Sequence, residues 1–297
     1  MARSTLIAFG LATAVALVSA IFTIASSPRL LKTSLLTLGA STISLLIFAS
    51  TRHIQLVSHR SRNRSPRQPN SQNSLVHRAP VDYNLFVLGS GGHTKEMLMM
   101  MDDGFCDFAN FHRRYLISSG DSMSENHVHD YEESLTSLCE SRGTSPGTYD
   151  KFIVTRARRV HQPLWSTPFT ALLSIVEIFP ALLIPPQGLV GMKMKPCYPS
   201  RVFSNGPATG FFVALAVHLL KMAYLVPESC MKVIYIESWA RISTLSLTGK
   251  LLFYTGIADV FVTQHQEVAT RYGVQNAGEI VFNSRRLDDI EPSPAKS

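Results

Sequence analysis

The chain has 297 residues, 45% of them hydrophobic, which is enough to build one large domain with an appendage. Its net charge of +7 is unevenly placed: nine of the 28 Lys and Arg lie in residues 1–80, which contain no Asp or Glu, so residues 81–297 carry 19 basic and 21 acidic side chains. This balance argues against a nucleic-acid-binding surface on the main domain, and we expect no nucleic-acid partner.

Residues 5–25 form an uncharged apolar run of the ~20 residues that a helix needs to cross a bilayer. The run predicts a membrane anchor. A cleaved signal peptide is disfavoured, because the run is long and Pro28 directly follows the small residues that would form the cleavage site. A second run at 34–50 is shorter and rich in Ser and Thr. It fits either a second span or an interfacial helix, and the sequence does not decide between them.

Residues 51–80 contain six Arg and no acidic residue. This composition predicts a basic, disordered linker after the anchor at 1–50. Because basic flanks are retained on the cytoplasmic side of a membrane, the domain at 81–282 is expected to face the cytosol. Residues 283–297 are predicted to form a flexible tail.

From residue 81, short apolar runs alternate with helical stretches, a pattern typical of a parallel sheet with crossover helices. We therefore predict an α/β fold with a Rossmann-like, doubly wound parallel sheet. The predicted strands are 84–88, 115–118, 152–155, 201–204, 233–237 and 260–263. The predicted helices begin near Thr94, Glu132, Thr167, Thr209, Ser243 and Gln266.

Residues 89–94 read Gly-Ser-Gly-Gly-His-Thr, after the first predicted strand and at the start of a helix. Glycines bring backbone N–H groups close to an anion, and a helix N-terminus favours negative charge, so a diphosphate would fit this turn. The spacing matches neither a dinucleotide-binding motif nor a P-loop, and no cofactor is expected. His93 is a candidate catalytic base, because imidazole exchanges protons near neutral pH. A tight turn without a ligand is the alternative.

The loop after the fourth predicted strand holds a second group of candidates, since ligands of such sheets bind beyond the strand ends. Asn205 and Gly206 are candidate binding residues. Thr209 either presents its hydroxyl to a ligand or simply caps the next helix. The four cysteines of the chain are widely spaced and form no Cys-x-x-Cys pair, so no metal site is predicted at these loops.

The loop after the fifth predicted strand places a carboxylate at a strand end. Glu237 is a tentative general base, and Ser238 beside it is a candidate binding residue. An ion pair between Glu237 and Arg241 explains the same carboxylate equally well.

Residues 169–186 form an apolar run with a single charged residue, Glu177. A crossover helix buried against the sheet is the ordinary interpretation. A helix with so few charges also suits the surface of a bilayer, which would bring the domain close to a lipid-borne substrate.

Three segments together resemble a known family: residues 88–98 (LGSGGHTKEML), residues 204–207 (SNGP), and residues 237–252, which begin ESWARIS. The family is the membrane-anchor subunit of the eukaryotic UDP-GlcNAc:dolichyl-diphosphate-GlcNAc transferase, the asparagine-linked glycosylation protein 14 family. The segments occur in the family's order and spacing, and the resemblance covers residues 81–278.

The resemblance implies a bipartite glycosyltransferase of the GT-B fold, in which this chain is the acceptor-side half. The enzyme would be a β-1,4-N-acetylglucosaminyltransferase that adds the second GlcNAc to GlcNAc-diphosphate-dolichol from UDP-GlcNAc, at the endoplasmic reticulum membrane and the contiguous nuclear envelope. A soluble UDP-GlcNAc-binding catalytic subunit would be its partner, so the chain alone should be inactive. The transferases that act before and after it in the dolichol pathway are further expected partners.

On this resemblance the three loops would bind the acceptor, dolichyl-diphosphate-GlcNAc. The expected acceptor-binding residues are Gly89, Ser90, Gly91, Gly92, His93, Thr94, Asn205, Gly206, Thr209, Glu237 and Ser238. The catalytic candidates are His93 and Glu237. Two other functions remain open: a purely structural membrane anchor, and a self-sufficient nucleotide-binding dehydrogenase, which the spacing of the glycines disfavours.

Overall fold

The computed structural model describes residues 31–63, 81–101, 108–156, 167–186, 198–206 and 208–278, and five helical positions within 15–21. Its helices are α1 Leu31–Asn63, α2 Gly92–Met101, α3 Ser122–Ser141, α4 Thr167–Leu183, α5 Ala208–Met222, α6 Leu247–Thr255 and α7 Gln266–Tyr272. Its strands are β1 Asp82–Val87, β2 Phe111–Ser118, β3 Thr148–Val154, β4 Arg201–Ser204, β5 Lys232–Ile236, β6 Val260–Thr263 and β7 Gln275–Asn276. Most of the predicted span at 5–25, the predicted linker beyond residue 63 and the predicted tail at 283–297 lie outside the described residues.

The strands of the described residues form one sheet in the order β3-β2-β1-β4-β5-β6-β7, and all paired neighbours are parallel. β1 pairs with β2, from Asp82 opposite Phe111 to Val87 opposite Leu116, and with β4 on its other side. Parallel neighbours need crossover connections, and the helices between successive strands supply them. The strand order confirms the predicted Rossmann-like, doubly wound fold. β7 was not predicted, because a strand of two residues carries no periodicity.

β2 begins at Phe111, earlier than the start predicted at Tyr115. Its residues His112, Arg113 and Arg114 are all buried, with exposed fractions of 0%, 0% and 3%. Three polar residues in a row give no strand signal in a sequence, because buried strands are expected to be apolar.

The buried arginines of β2 are paired with carboxylates on neighbouring elements. Arg113 Nε and Nη2 donate to Glu132 of α3 at 2.7 and 2.8 Å. Arg114 Nη2 donates to Asp150 of β3 at 2.6 Å, and Arg114 Nη1 donates to two carbonyl oxygens at the C-terminal end of α4 at 2.8 and 2.7 Å. Pairing of this kind is what allows charged groups to remain buried.

The two faces of the sheet at β1 and β2 are covered by different helices. One core cluster joins these strands to α2 and α3, and it contains Phe86, Leu88, Met97, Leu98, Tyr115, Ile117 and Val128. Arg114, which precedes Tyr115 and therefore lies on the other face of β2, reaches α4 instead. Because helices cover both faces, the strand ends are the part of the sheet left open to a ligand.

α1, together with residues 219–227, forms a second compact unit. The stretch Leu35–Ser61 is long and apolar enough to cross a membrane, by length and composition. α1 includes the predicted second run at 34–50 and continues to Asn63, so residues 51–63 are helical although a linker was predicted there. These residues contain neither Gly nor Pro, and a helix that has already formed propagates at little cost through such a sequence.

Within this second unit, the C-terminal half of α1 is buried on one face, at Arg52, Leu56 and Arg60. This spacing of four residues is that of a single helix face. Arg52 Nη2 donates to Lys221 O at 3.2 Å, and its guanidinium lies 4.0 Å from the centre of the Tyr224 ring. The basic residues of this segment therefore pack against protein, in addition to giving α1 a charged flank.

Candidate functional site

The direction of winding reverses between β1 and β4, since the chain moves outward from β1 to β2 and β3, and outward the other way from β4 to β7. In doubly wound sheets, ligands bind beyond the carboxyl ends of the strands at this reversal. Residues 88–93 follow β1, residues 205–209 follow β4, and residues 237–240 follow the neighbouring β5. The fold thus brings the three loops that sequence analysis selected to the same edge of the sheet.

The glycine-rich turn leads directly into the first turn of α2. Ser90 O accepts a hydrogen bond from His93 N at 3.0 Å, and Gly91 O accepts one from Lys95 N at 3.0 Å. Gly92 is the first residue of the helix and is exposed, as is Ser90. The N-terminal end of α2, where backbone N–H groups lack carbonyl partners within the helix, therefore opens on the sheet edge.

Gly89 and Thr94 hold this turn in place. Thr94 is fully buried, and its Oγ1 donates to Gly89 O at 2.6 Å and lies 2.7 Å from Ser124 Oγ. Ser124 Oγ also lies 2.6 Å from Gly89 O. Gly89 and Thr94 were predicted to bind a ligand, but their hydrogen bonds stabilise the turn itself. Ser124 of α3, which sequence analysis missed, stabilises the turn in the same way.

The second loop packs directly on the first. Asn205 Nδ2 donates to His93 O at 2.7 Å. Gly206 has φ +123°, and a Cβ placed on it would lie 3.0 Å from His93 Cε1, so both the backbone conformation and the contact with the ring require glycine here. The structure therefore brings His93, Asn205 and Gly206 together, as predicted from their positions after β1 and β4.

Three buried polar atoms at this junction have no hydrogen-bond partner among the described residues: His93 Nδ1, Ser204 Oγ and Asn205 Oδ1. Buried polar groups are normally satisfied, and a group of unsatisfied ones is a feature of sites that await a ligand. Because Asn205 Nδ2 donates to a carbonyl, Asn205 Oδ1 can only accept. The ligand atom that it suits is a hydroxyl or an N–H group, and a phosphate oxygen does not meet that need.

The third loop is held against α2 by a glutamate that sequence analysis missed. Glu96 Oε2 accepts a hydrogen bond from Ser238 Oγ at 2.9 Å, and Glu96 Oε1 accepts one from Trp239 N at 2.5 Å. Glu96 lies three residues after His93, on the same face of α2, and this spacing could have identified it from the sequence. Ser238 is 5% exposed and, through Glu96, is tied to the glycine-rich turn.

Glu237 is held inside its own loop. It is 1% exposed, and its oxygens accept hydrogen bonds from Tyr235, Ser238 and Ser246 at 3.1 to 3.2 Å. Burial raises the pKa of Glu237, although these hydrogen bonds oppose the shift. A Cβ on Gly249 would lie 2.0 Å from Glu237 Oε2, so α6 also closes over the carboxylate. This geometry favours a structural role over the predicted general base. Since Arg241 is exposed, the alternative ion pair is not favoured either.

Thr209 is also buried, at 4% exposed, and lies at the start of α5. Its Oγ1 is 3.1 Å from Ser118 Oγ at the end of β2. The hydroxyl therefore connects the start of α5 to the end of β2.

An open cleft of about 460 Å³ lies between the start of α2 and the third loop. Its lining residues are Ser90, Gly92, His93, Lys95, Glu96, Met99, Ser238, Trp239 and Ala240. Lys95 gives this cleft a cation next to the positive end of a helix, and Trp239 gives it an aromatic side chain. The combination suits an anionic ligand with a less polar or sugar-like portion.

The apolar helix α4 presents one uncovered face. Leu172, Leu173 and Val176 are between 49% and 61% exposed, and Ile184, just past the end of the helix, is 51% exposed. Its one charged residue, Glu177, is turned toward β3, where it accepts hydrogen bonds from the backbone and hydroxyl of Thr155. The exposed side of the described part of this helix is therefore uncharged.

Fold and cleft together define a Rossmann-type α/β domain with an open cleft at its switch point. Residues 84–280 match the family described as oligosaccharide biosynthesis protein Alg14 like. This match covers well over half of the sequence, and the chain belongs to the Alg14 family. The family resemblance carried by the three loop motifs is thereby confirmed.

Individual relatives agree with this assignment. The UDP-N-acetylglucosamine transferase subunit ALG14 of Debaryomyces hansenii is 34% identical over 188 residues, which cover 63% of this chain and 71% of the relative. The protein of the same name in Homo sapiens is 32% identical over 191 residues, or 63% of this chain and 77% of the relative. Among solved structures, MurG of Acinetobacter baumannii covers 62% of this chain and 41% of its own, with 14% identity and a TM-score of 0.33. No inference is drawn from a structural similarity that low.

Proposed function

We propose that this protein is the membrane-bound subunit of a UDP-GlcNAc transferase, and that its switch-point cleft binds the lipid-linked acceptor, GlcNAc-diphosphate-dolichol. The relatives are named as subunits of a UDP-N-acetylglucosamine transferase, which supports the general role. The reaction is the β-1,4 transfer of the second GlcNAc, on the acceptor-side half of a GT-B enzyme. The globular domain faces the cytosol at the endoplasmic reticulum membrane.

One observation carries the acceptor-binding part of the proposal: Ser204 Oγ and Asn205 Oδ1, two buried polar atoms without a hydrogen-bond partner among the described residues, lie where the first two loops meet, beside the N-terminus of α2. The helix end and Lys95 suit the diphosphate. Asn205 Oδ1, an acceptor, suits a hydroxyl or the N-acetyl N–H of the sugar. A diphosphate joined to a sugar has both kinds of group, and the cleft of about 460 Å³ next to this junction has room for a ligand.

The second part of the proposal is recruitment. α1 contains a stretch that can cross a membrane. A soluble catalytic subunit that supplies UDP-GlcNAc would be held at the bilayer by this chain, which on its own would lack the donor site and would be inactive. The transferases that act before and after it in the pathway are further partners under this proposal.

The alternative is a purely structural anchor, and Gly206→Ala separates it from acceptor binding. The substitution strains φ +123° and crowds His93, so we expect kcat/KM for the acceptor to fall by about 30-fold or more in the reconstituted pair. Gly143→Ala is the matched control, since Gly143 also has positive φ (+65°) but nothing lies within 4 Å of an added Cβ. Co-purification of the partner should be unchanged in both. Full activity of the Gly206 variant would contradict acceptor binding and favour the anchor.

The bare face of α4 supports a position of the domain at the lipid surface. Exchange of Leu172 and Val176 for Asp should then raise KM for a long-chain, bilayer-borne acceptor about ten-fold. KM for a short-chain, water-soluble acceptor should stay within about two-fold, since that substrate needs no contact with lipid. Equal changes with the two acceptors would show that the face has another task.

A further inference from the structure

The carboxylate of Glu96 joins helix α2 to two loops. Besides its contacts with Ser238 and Trp239 of the loop after β5, Glu96 Oε1 accepts a hydrogen bond from Gln264 Nε2 at 3.0 Å, and Gln264 follows β6. Glu96 itself lies on α2, one turn beyond the glycine-rich turn, and is 8% exposed. A buried carboxylate that touches this many segments stabilises their arrangement.

The same carboxylate also faces His93. Glu96 Oε2 lies 3.7 Å from His93 Nδ1, which is buried and has no hydrogen-bond partner among the described residues. The distance is longer than a hydrogen bond, as is common between catalytic groups before a substrate binds. The His93 side chain is 34% exposed and lines the cleft, so Nε2 is the ring nitrogen that a substrate can reach.

We propose that Glu96 is a positioning residue for His93: its carboxylate fixes the Nδ1–H tautomer and leaves Nε2 as the proton acceptor in the cleft. This inference rests on the proposed function. In the transfer, a hydroxyl oxygen of the acceptor sugar bonds to the anomeric carbon of UDP-GlcNAc, the bond from that carbon to the diphosphate breaks, and UDP leaves with the electron pair. Nε2 takes the hydroxyl proton, and the imidazolium that results faces the negative charge of Glu96.

The first test measures kcat and KM in the full chain co-purified with its partner. Glu96→Gln keeps the size of the side chain and removes its charge, and kcat should fall by about 10- to 100-fold while KM for the acceptor stays within about two-fold. Gln264→Ala is the matched control, because it removes a hydrogen bond to the same carboxylate and leaves the charge; kcat should stay within about two-fold. Equal losses in the two variants would overturn the proposal.

A double variant separates positioning from structural support. If Glu96 acts through His93, Glu96→Gln should cost less than about two-fold in a His93→Ala background. A carboxylate that only stabilises the loops would cost the same factor in both backgrounds. That outcome would rule out the positioning role.

A measurement on the unchanged protein does not depend on how the variants fold. ¹⁵N NMR of histidine-labelled complex, with His93→Asn to assign the signals, should show neutral His93 protonated at Nδ1 and unprotonated at Nε2. An Nε2–H tautomer would refute the inference. Absence of transfer by the wild-type complex would instead contradict the proposed function, while the tautomer would still report on the Glu96–His93 pair.

Discussion

The polar side chains of β2 and the carboxylate of Glu96 in the cleft are both buried, but they find their partners in different ways. His112 lies opposite Thr148, and Arg114 opposite Asp150, in the register of β2 and β3, and the pairs are in contact at 2.8 and 2.6 Å. Glu96 in the cleft contacts loops after β5 and β6, which strand pairing does not align. Contacts between register partners stabilise the sheet, whereas contacts between loops shape the cleft. Substitutions in the two regions should therefore affect different properties.

The largest effect is expected from Arg113→Ala, which leaves the buried carboxylate of Glu132 without its ion-pair partner. Removing one partner of a buried pair costs about 3–5 kcal/mol, so the free energy of unfolding should fall by that amount. Thermal and urea unfolding of the full chain in detergent measure it. The activity of the molecules that remain folded should be close to that of the wild type.

Arg201→Ala provides the control for this variant. The pair of Arg201 with Asp82 has a similar length, 2.9 Å, but its side chains are 45% and 44% exposed. We expect less than about 1 kcal/mol from its loss. If Arg113→Ala and Arg201→Ala lowered the free energy of unfolding equally, the buried ion pair of β2 would contribute no more to the fold than an exposed one.

The next effect concerns the cleft. Asn205→Ala removes the amide that joins the first two loops and a buried acceptor oxygen that has no partner among the described residues. We expect kcat/KM for the lipid-linked acceptor to fall about 100-fold and the unfolding free energy to change by about 1 kcal/mol. Asn110→Ala, at an exposed position in the turn before β2, is the control and should change neither. A large loss of unfolding free energy with unchanged kcat/KM would show that Asn205 stabilises the fold and does not shape the cleft.

The smallest effect is expected in acid, at Asp150. Burial opposes its ionisation, but the hydrogen bonds from Arg114 and the nearby ring of His112 outweigh burial and lower the pKa of Asp150 from 3.8 to about 2. A carboxyl group with a lowered pKa stabilises the folded state above its unfolded pKa, and this contribution is lost as pH falls through the folded pKa. About 2 kcal/mol should therefore disappear between about pH 4 and pH 2. In Asp150→Asn, the free energy of unfolding should depend less on pH in that window. An unchanged pH dependence would contradict the lowered pKa of Asp150.

The architecture of the sheet could be read from the sequence because its strands are mostly apolar and lie between helical stretches. The predicted bounds of β4 and β6 agree with the structure. β2 was placed too short, since its buried charges depend on Glu132 and Asp150, which are distant in sequence. α3 begins at Ser122, well before the predicted Glu132, because its cap by Asp121 lies in a polar segment without an apolar period.

The site was predicted in position more than in detail. Strand ends and glycine spacing were enough to select the three loops, and His93, Asn205 and Gly206 do meet. The sequence could not show that Glu237 is enclosed by its own loop, because the partners that enclose it are brought there by the turn before α6. Glu96 was not predicted for a related reason: a glutamate on a helix is expected to be exposed unless the loop that it contacts is known.

The length of α1 has a geometric consequence. A helix of 33 residues is about 50 Å long, whereas the hydrocarbon core of a bilayer is about 30 Å thick. About 20 residues are enough to cross that core, so α1 is longer than a span needs, and Arg52 in its C-terminal part is buried against Lys221 and Tyr224. The turns from Arg52 to Asn63 account for about 18 Å of this length. Each residue added to or removed from α1 would change its length by about 1.5 Å.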